Sequence, residues 1–169
     1  MSNSAKKIFL VLCIIVPFII YCVYYYAHVF QDAPFKFTEF KSFSFKYGSR
    51  DSMLNTYNSA TGEYQYLDKH DSLVKKSLFL TKSELLYLHR KASELGLWDF
   101  PSNETMSDTA KFKGAKPLRY DIQFDYQRKS KKVLFDANFE GPTKLVDANQ
   151  QVIKQIMSVL DEAEARQKK

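Results

Sequence analysis

The rhythm of apolar and polar positions changes several times along the chain. From Ile8 to Phe30 (IFLVLCIIVPFIIYCVYYYAHVF) there is no Lys, Arg, Asp or Glu, and Lys6 and Lys7 stand immediately before the run. About 20 apolar helical residues match a hydrocarbon core of ~30 Å, whereas the apolar region of a signal peptide is usually about 7 to 15 residues. The following residues offer only Ala27 as a good fit to a small-residue cleavage site. The pattern therefore predicts a retained transmembrane helix over 8–30. The two lysines place a cytoplasmic terminus over 1–7, and Tyr21, Tyr24, Tyr25 and Tyr26 suit the outer headgroup boundary. A linker at 31–34 then leads to an extracytoplasmic domain over 35–165 and a frayed tail over 166–169. The expectation is a single-pass protein of a cell membrane, with the membrane itself as one partner.

Beyond the linker the period shortens to two. Between Phe35 and Tyr47, aromatics at 35, 37, 43, 45 and 47 share one parity and Phe40 breaks it, which predicts a half-buried strand with a bend or bulge at Phe40. Gly48 to Asp51 reads as a turn. Leu54–Asn58 and Tyr64–Leu67 read as two strands joined through Ser59-Ala60-Thr61-Gly62, and Ser77–Leu80 as a further extended piece. The period then lengthens. Thr81-Lys82-Ser83-Glu84 has capping-box form, Leu85, Leu88, Ala92 and Leu95 repeat at helical spacing, and Gly96 stands where a left-handed cap belongs, so a helix is expected over Lys82–Leu95.

Ser102 to Pro117 has no apolar period and reads as a long irregular loop. Leu118, Tyr120, Ile122, Phe124 and Tyr126 then alternate without a fault against polar residues, and Val133, Phe135 and Ala137 continue the pattern after a turn at Arg128-Lys129-Ser130. A last helix is expected over Val146–Ala163, with Val152, Ile153, Ile156, Val159 and Leu160 as its apolar stripe. Two amphipathic helices suffice to cover one face of such a sheet. The predicted fold class is α+β: the transmembrane helix followed by a two-layer sandwich of an antiparallel sheet of about five strands and two helices.

The Leu80-Thr81-Lys82-Ser83-Glu84-Leu85 opening of the first helix, the Leu118 to Phe135 hairpin and Gly141-Pro142-Thr143-Lys144-Leu145 before the second resemble, in element order, small bacterial exported domains that include emfourin-type metalloprotease inhibitors. The glycine-rich first hairpin expected of such domains is reduced here to Gly48 and Gly62. The resemblance spans about residues 43 to 160. It implies a fold more than a function.

Charge and composition narrow the chemistry. Net charge is +6, and discounting Lys6 and Lys7 leaves a surplus of +4 over the expected external part. Much of that surplus lies in turns and at the end of the chain, such as Arg128 to Lys132 and Arg166 to Lys169, so no nucleic-acid partner is expected. Cys13 and Cys22 are nine positions apart, on opposite sides of a helix, and read as apolar filler. There is no nucleophile elbow, Walker loop, dinucleotide fingerprint or His-Glu-x-x-His pair, and no cofactor or metal is expected. Asp68-Lys69-His70-Asp71 reads as a polar turn and His89 as a helix-boundary residue. Glu39, Glu63, Asp99, Asp121 and Asp125 supply carboxylates for an alternative, a small membrane-bound hydrolase. A structural subunit of a membrane assembly is a third reading.

The favoured expectation is a binding, inhibitory or immunity-type module, without catalysis, that engages a membrane-proximal protein partner. Its candidate binding residues are Lys111, Lys113 and Lys116 of the long loop, together with Trp98, because long irregular loops in compact domains tend to carry function.

Overall fold

The computed structural model describes residues 3–32, 35–49, 52–106 and 117–168. The chain divides into two compact units, Met1–Phe35 and Lys36–Lys169.

The first unit is helix α1 (Asn3–Asp32), with Pro17 inside it and the rings of Tyr21 and Tyr25 stacked at 6.1 Å. Among the described residues no helix is long and apolar enough to cross a membrane. Pro17 and the polar-tipped rings of Tyr21, Tyr24 and Tyr25 lower the apolar character of the described part of α1. The expected transmembrane helix over 8–30 is corrected accordingly. The single-pass topology, the signal anchor and the cytoplasmic and extracytoplasmic placements built on it are withdrawn with it.

The second unit is α+β. Its strands are β1 (Phe40–Ser49), β2 (Ser52–Asn58), β3 (Glu63–Leu67), β4 (Leu73–Ser77), β5 (Asn103–Glu104), β6 (Leu118–Tyr126) and β7 (Ser130–Asp136), with helices α2 (Lys82–Glu94) and α3 (Thr143–Gln167). The strands form one sheet in the order β4-β3-β2-β1-β6-β7-β5. All neighbours are antiparallel except β5 and β7, which run parallel. The expected antiparallel sheet of about five strands is thus corrected to a mixed sheet of seven. The additions are both edge strands, too short or too exposed to show a buried face in sequence.

Register explains the core. Phe45 lies opposite Tyr57 on one side and Ile122 on the other, and Ile122 opposite Val133. Each is at most 1 % exposed. A second row runs Asn55, Tyr47, Tyr120, Phe135 and Glu104 across β2, β1, β6, β7 and β5. Both rows lie on the face that the helices cover. The opposite face is polar: Ser42 donates to Asp125 at 2.9 Å, and Lys132 pairs with Asp121 at 3.0 Å. The bulge expected at Phe40 is present as a register shift between Phe40 and Ser42, following a turn of 3-10 helix at Phe37–Glu39.

Helix α2 begins with the expected capping box. The Thr81 hydroxyl accepts from the Glu84 amide, and the Glu84 carboxylate accepts from the Thr81 amide at 2.7 Å. Gly96 closes the helix at φ +80°, a conformation that only glycine adopts without strain. Helix α3 begins earlier than expected and extends past Ala163 to Gln167. Glu164 accepts from Lys76 of β4 at 2.6 Å, and Arg166 pairs with Glu84 of α2, so the last turns are tied down. At its other end Asn149 donates to Glu104 of β5 at 2.5 Å. Helix α3 therefore crosses the sheet diagonally, from β5 at one edge to β4 at the other, and α2 packs beside it.

On the polar side of β7, Asp136 is fully buried and holds the ends of the long loop. Its carboxylate accepts from Arg119 Nε at 2.6 Å and Nη2 at 2.9 Å, and from the Met106 amide at 3.1 Å. One acidic side chain thus joins the described residues on both sides of 107–116. In urea denaturation Asp136→Ala is expected to lose about 3 kcal/mol, because removing one member of a buried pair strands the other; a loss under about 1 kcal/mol would show the clamp to be dispensable. Thr81→Ala is expected to lose about 1 kcal/mol by the same measurement, the usual worth of an N-cap.

Candidate functional site

A seven-stranded sheet is wider than two helices can cover. Helix α2 fills the side of α3 that holds Phe37, Trp98 and Tyr126, and among the described residues of this unit the other side of α3 carries no helix. There the second cross-strand row forms the floor of an open cleft of about 530 Å³, lined by Tyr120, Phe135 and Ala137 below and by Gln150, Ile153, Lys154, Met157, Ser158 and Asp161 of α3 along one wall. Its volume lies in the range of sites that receive a side chain or small molecule, ~300–1,000 Å³.

The floor is aromatic because alternation in β1, β6 and β7 puts every second residue on this face. The Tyr47 and Tyr120 rings stack at 6.0 Å, Tyr120 and Phe135 at 6.3 Å, and Phe139 meets Phe135 edge-on at 6.4 Å. The wall follows from helical spacing. Gln150, Lys154, Met157 and Asp161 recur at intervals of four, three and four, so they share one stripe. Lys154 and Asp161 stand about 10 Å apart along the helix, a cation and an anion at separate points of the rim. Burial raises the pKa of Tyr120. Burial also raises that of Tyr47, with the Asp161 carboxylate and Tyr120 adding to it. Both phenols are therefore neutral at ordinary pH, able to donate or accept a hydrogen bond but not to act as bases.

The residues expected to carry function are distributed differently. Lys111, Lys113 and Lys116 lie outside the described residues. Trp98 is half-buried at the end of α2, edge-on to Phe124 at 5.3 Å and Tyr126 at 6.0 Å, and tilted against His89 at 5.5 Å. Its ring belongs to the core and does not line the cleft. His89 is buried, its Nδ1 2.6 Å from the Tyr126 hydroxyl, and burial with the nearby Arg90 lowers its pKa, which keeps the ring neutral.

The candidate carboxylates are engaged singly. Asp121 and Asp125 share one strand face at a separation of about 13 Å, beyond the reach of a two-carboxylate mechanism. Asp125 is engaged by Ser42 and Gln123, and Glu39 by Arg128. Asp68 caps the β3–β4 turn, accepting from the amides of His70 at 2.7 Å and Ser72 at 2.9 Å, with Asp71 in the left-handed region at φ 55°. This is a turn built on an aspartate, as its composition suggests. Among the described residues no three His, Cys, Asp or Glu side chains converge to hold a metal ion.

The cleft is not legible in the sequence. The signal existed in two pieces, the faultless alternation of Leu118–Tyr126 and the lone Met157 on an otherwise polar stripe of α3, but nothing in sequence brings the two together. No protein-family model matches the chain, and neither the curated proteins nor the solved structures contain a match.

Proposed function

We propose that this chain is a non-catalytic protein-binding module that seats an apolar side chain of a partner protein in the cleft between α3 and the β6–β7 side of the sheet. The observation that carries this reading is the composition of the cleft. Aromatic floor, methionine wall and charged rim are the ingredients of an interface centre rather than of a reaction centre. Tyr120 and Phe135 are held by the sheet, so a partner meets a surface already in place and loses little ordering entropy there. Met157 is half-buried and unbranched, which lets the wall adapt to the shape of the incoming side chain. Lys154 and Asp161 supply opposite charges at two points and orient the partner's backbone or neighbouring side chains. Inhibitory and immunity-type action are two forms of such binding.

The test is position-specific photo-crosslinking with the full chain in its native cell. A benzophenone amino acid at position 157 is expected to give one discrete covalent adduct, and the same group at position 46, on the polar face of the sheet, none. Asp161→Arg, at an exposed rim position, is expected to lower the yield at 157 by about tenfold, equivalent to ~1.4 kcal/mol of binding. Equal adducts at 157 and 46, or a yield at 157 indifferent to Asp161→Arg, would remove the cleft as the binding site.

A further inference from the structure

Glu104 and Asn149 are both fully buried, and each leaves one polar atom without a partner among the described residues: Oε1 of the acid and Oδ1 of the amide. The two residues are already joined through their other atoms, Asn149 Nδ2 donating to Glu104 Oε2 at 2.5 Å and to the Leu145 carbonyl at 3.1 Å. An ionised Glu104 cannot repair this, because a carboxylate and an amide oxygen are both acceptors. A protonated one can. A proton on Oε1 turns that atom into a donor, and since the two side chains already meet through Nδ2 and Oε2, one bond from Oε1 to Oδ1 would satisfy both orphaned atoms.

We propose that in mildly acid solution Glu104 is a neutral acid in the folded protein, closing a cyclic acid–amide pair with Asn149, and that its ionisation as the solution becomes neutral loosens β5 from α3. The proton lost on ionisation passes to solvent, and what remains is a buried anion with a single hydrogen bond. Other groups act on the same site. Lys131, on β7, favours the anion electrostatically, but its ammonium donates to the Phe100 carbonyl and is also acted on by Asp99, so its charge is shared. From α3 the facing group is the uncharged Asn149. Burial outweighs both attractions and lifts the Glu104 pKa to about 6.

The geometry makes this pair a latch. Strand β5 has only two residues, and its register to β7 pairs Asn103 with Leu134 and Glu104 with Phe135. Beside it the Leu134 amide donates to the Ser102 carbonyl at 3.0 Å. Two residues of ladder are a weak hold, so the side-chain pair to α3 decides how firmly this edge stays attached. For a carboxyl whose folded pKa is raised, the favourable contribution is complete below the unfolded pKa near 4.5 and is lost as pH rises through about 6.

The test uses the full chain. In wild type the side-chain carboxyl carbon of Glu104, followed by NMR, is expected to titrate near pH 6. Amide-exchange protection of Leu134 is expected to fall by up to about thirtyfold between pH 4.5 and 7.5, once intrinsic exchange is divided out. In Glu104→Gln the amide nitrogen replaces the acid hydroxyl as donor to Asn149, so protection at Leu134 should become independent of pH and exceed that of wild type at pH 7.5. A Glu104 titration near 4.5 overturns the proposal, as does an unchanged pH profile in Glu104→Gln. The wild-type titration decides the matter even where the variant does not fold.

Discussion

Everything in the second unit depends on how one long helix is tied across a sheet. Helix α3 is held at β5 through Asn149 and Glu104 and at β4 through Glu164 and Lys76, with the Tyr66 hydroxyl 3.4 Å from Glu164. Between these moorings Val152, Ile153, Ile156, Val159, Leu160 and Ala163 are buried against the aromatic rows. Apolar burial supplies the attraction, but it is non-directional and would tolerate a range of crossing angles. The polar ties at both ends select one. That angle decides which part of the helical face of the sheet is covered and which part becomes a cleft.

The two buried carboxylates near the β5 edge sit on opposite faces and work differently. Asp136 meets a guanidinium through two parallel hydrogen bonds and takes a backbone amide besides, the arrangement in which a buried anion is best compensated. Glu104, one row away on the helical face, meets an uncharged amide. The first favours a fixed charge. The second favours losing the charge altogether, which makes it sensitive to mild changes in pH.

What could be read from residues follows from how local each cause is. The capping box at Thr81, the left-handed Gly96, the bulge at Phe40 and the alternation of β6 are set by neighbours within a few positions, and each stands where the sequence placed it. Strand β4 shows no alternation in sequence because each of its faces mixes apolar and polar residues, Leu73, Lys75 and Ser77 on the exposed side and Val74 and Lys76 on the half-buried one. Two-residue β5 has no period at all. His89, a boundary residue by its helical spacing, is buried because Trp98 from just past the helix and Phe37 from far along the chain close over it. The cleft joins β6, β7 and α3 through an angle fixed by long-range ties, which no short window records. At the start of the chain, composition and length alone predict a membrane span, and among the described residues no helix is long and apolar enough to form one.

The parallel pairing of β5 has one further consequence. Laid along β7, it occupies hydrogen-bonding groups that would otherwise stand open to the strands of another molecule, and so it screens that margin of the sheet against intermolecular growth. The opposite margin, β4, is protected by other means: the exposed Lys75 places positive charge on it, which makes the approach of a second copy of the same strand self-repelling. The sheet is thus shielded by backbone pairing on one side and by charge on the other, and high salt, which weakens only the charge, would open the two sides to association unequally.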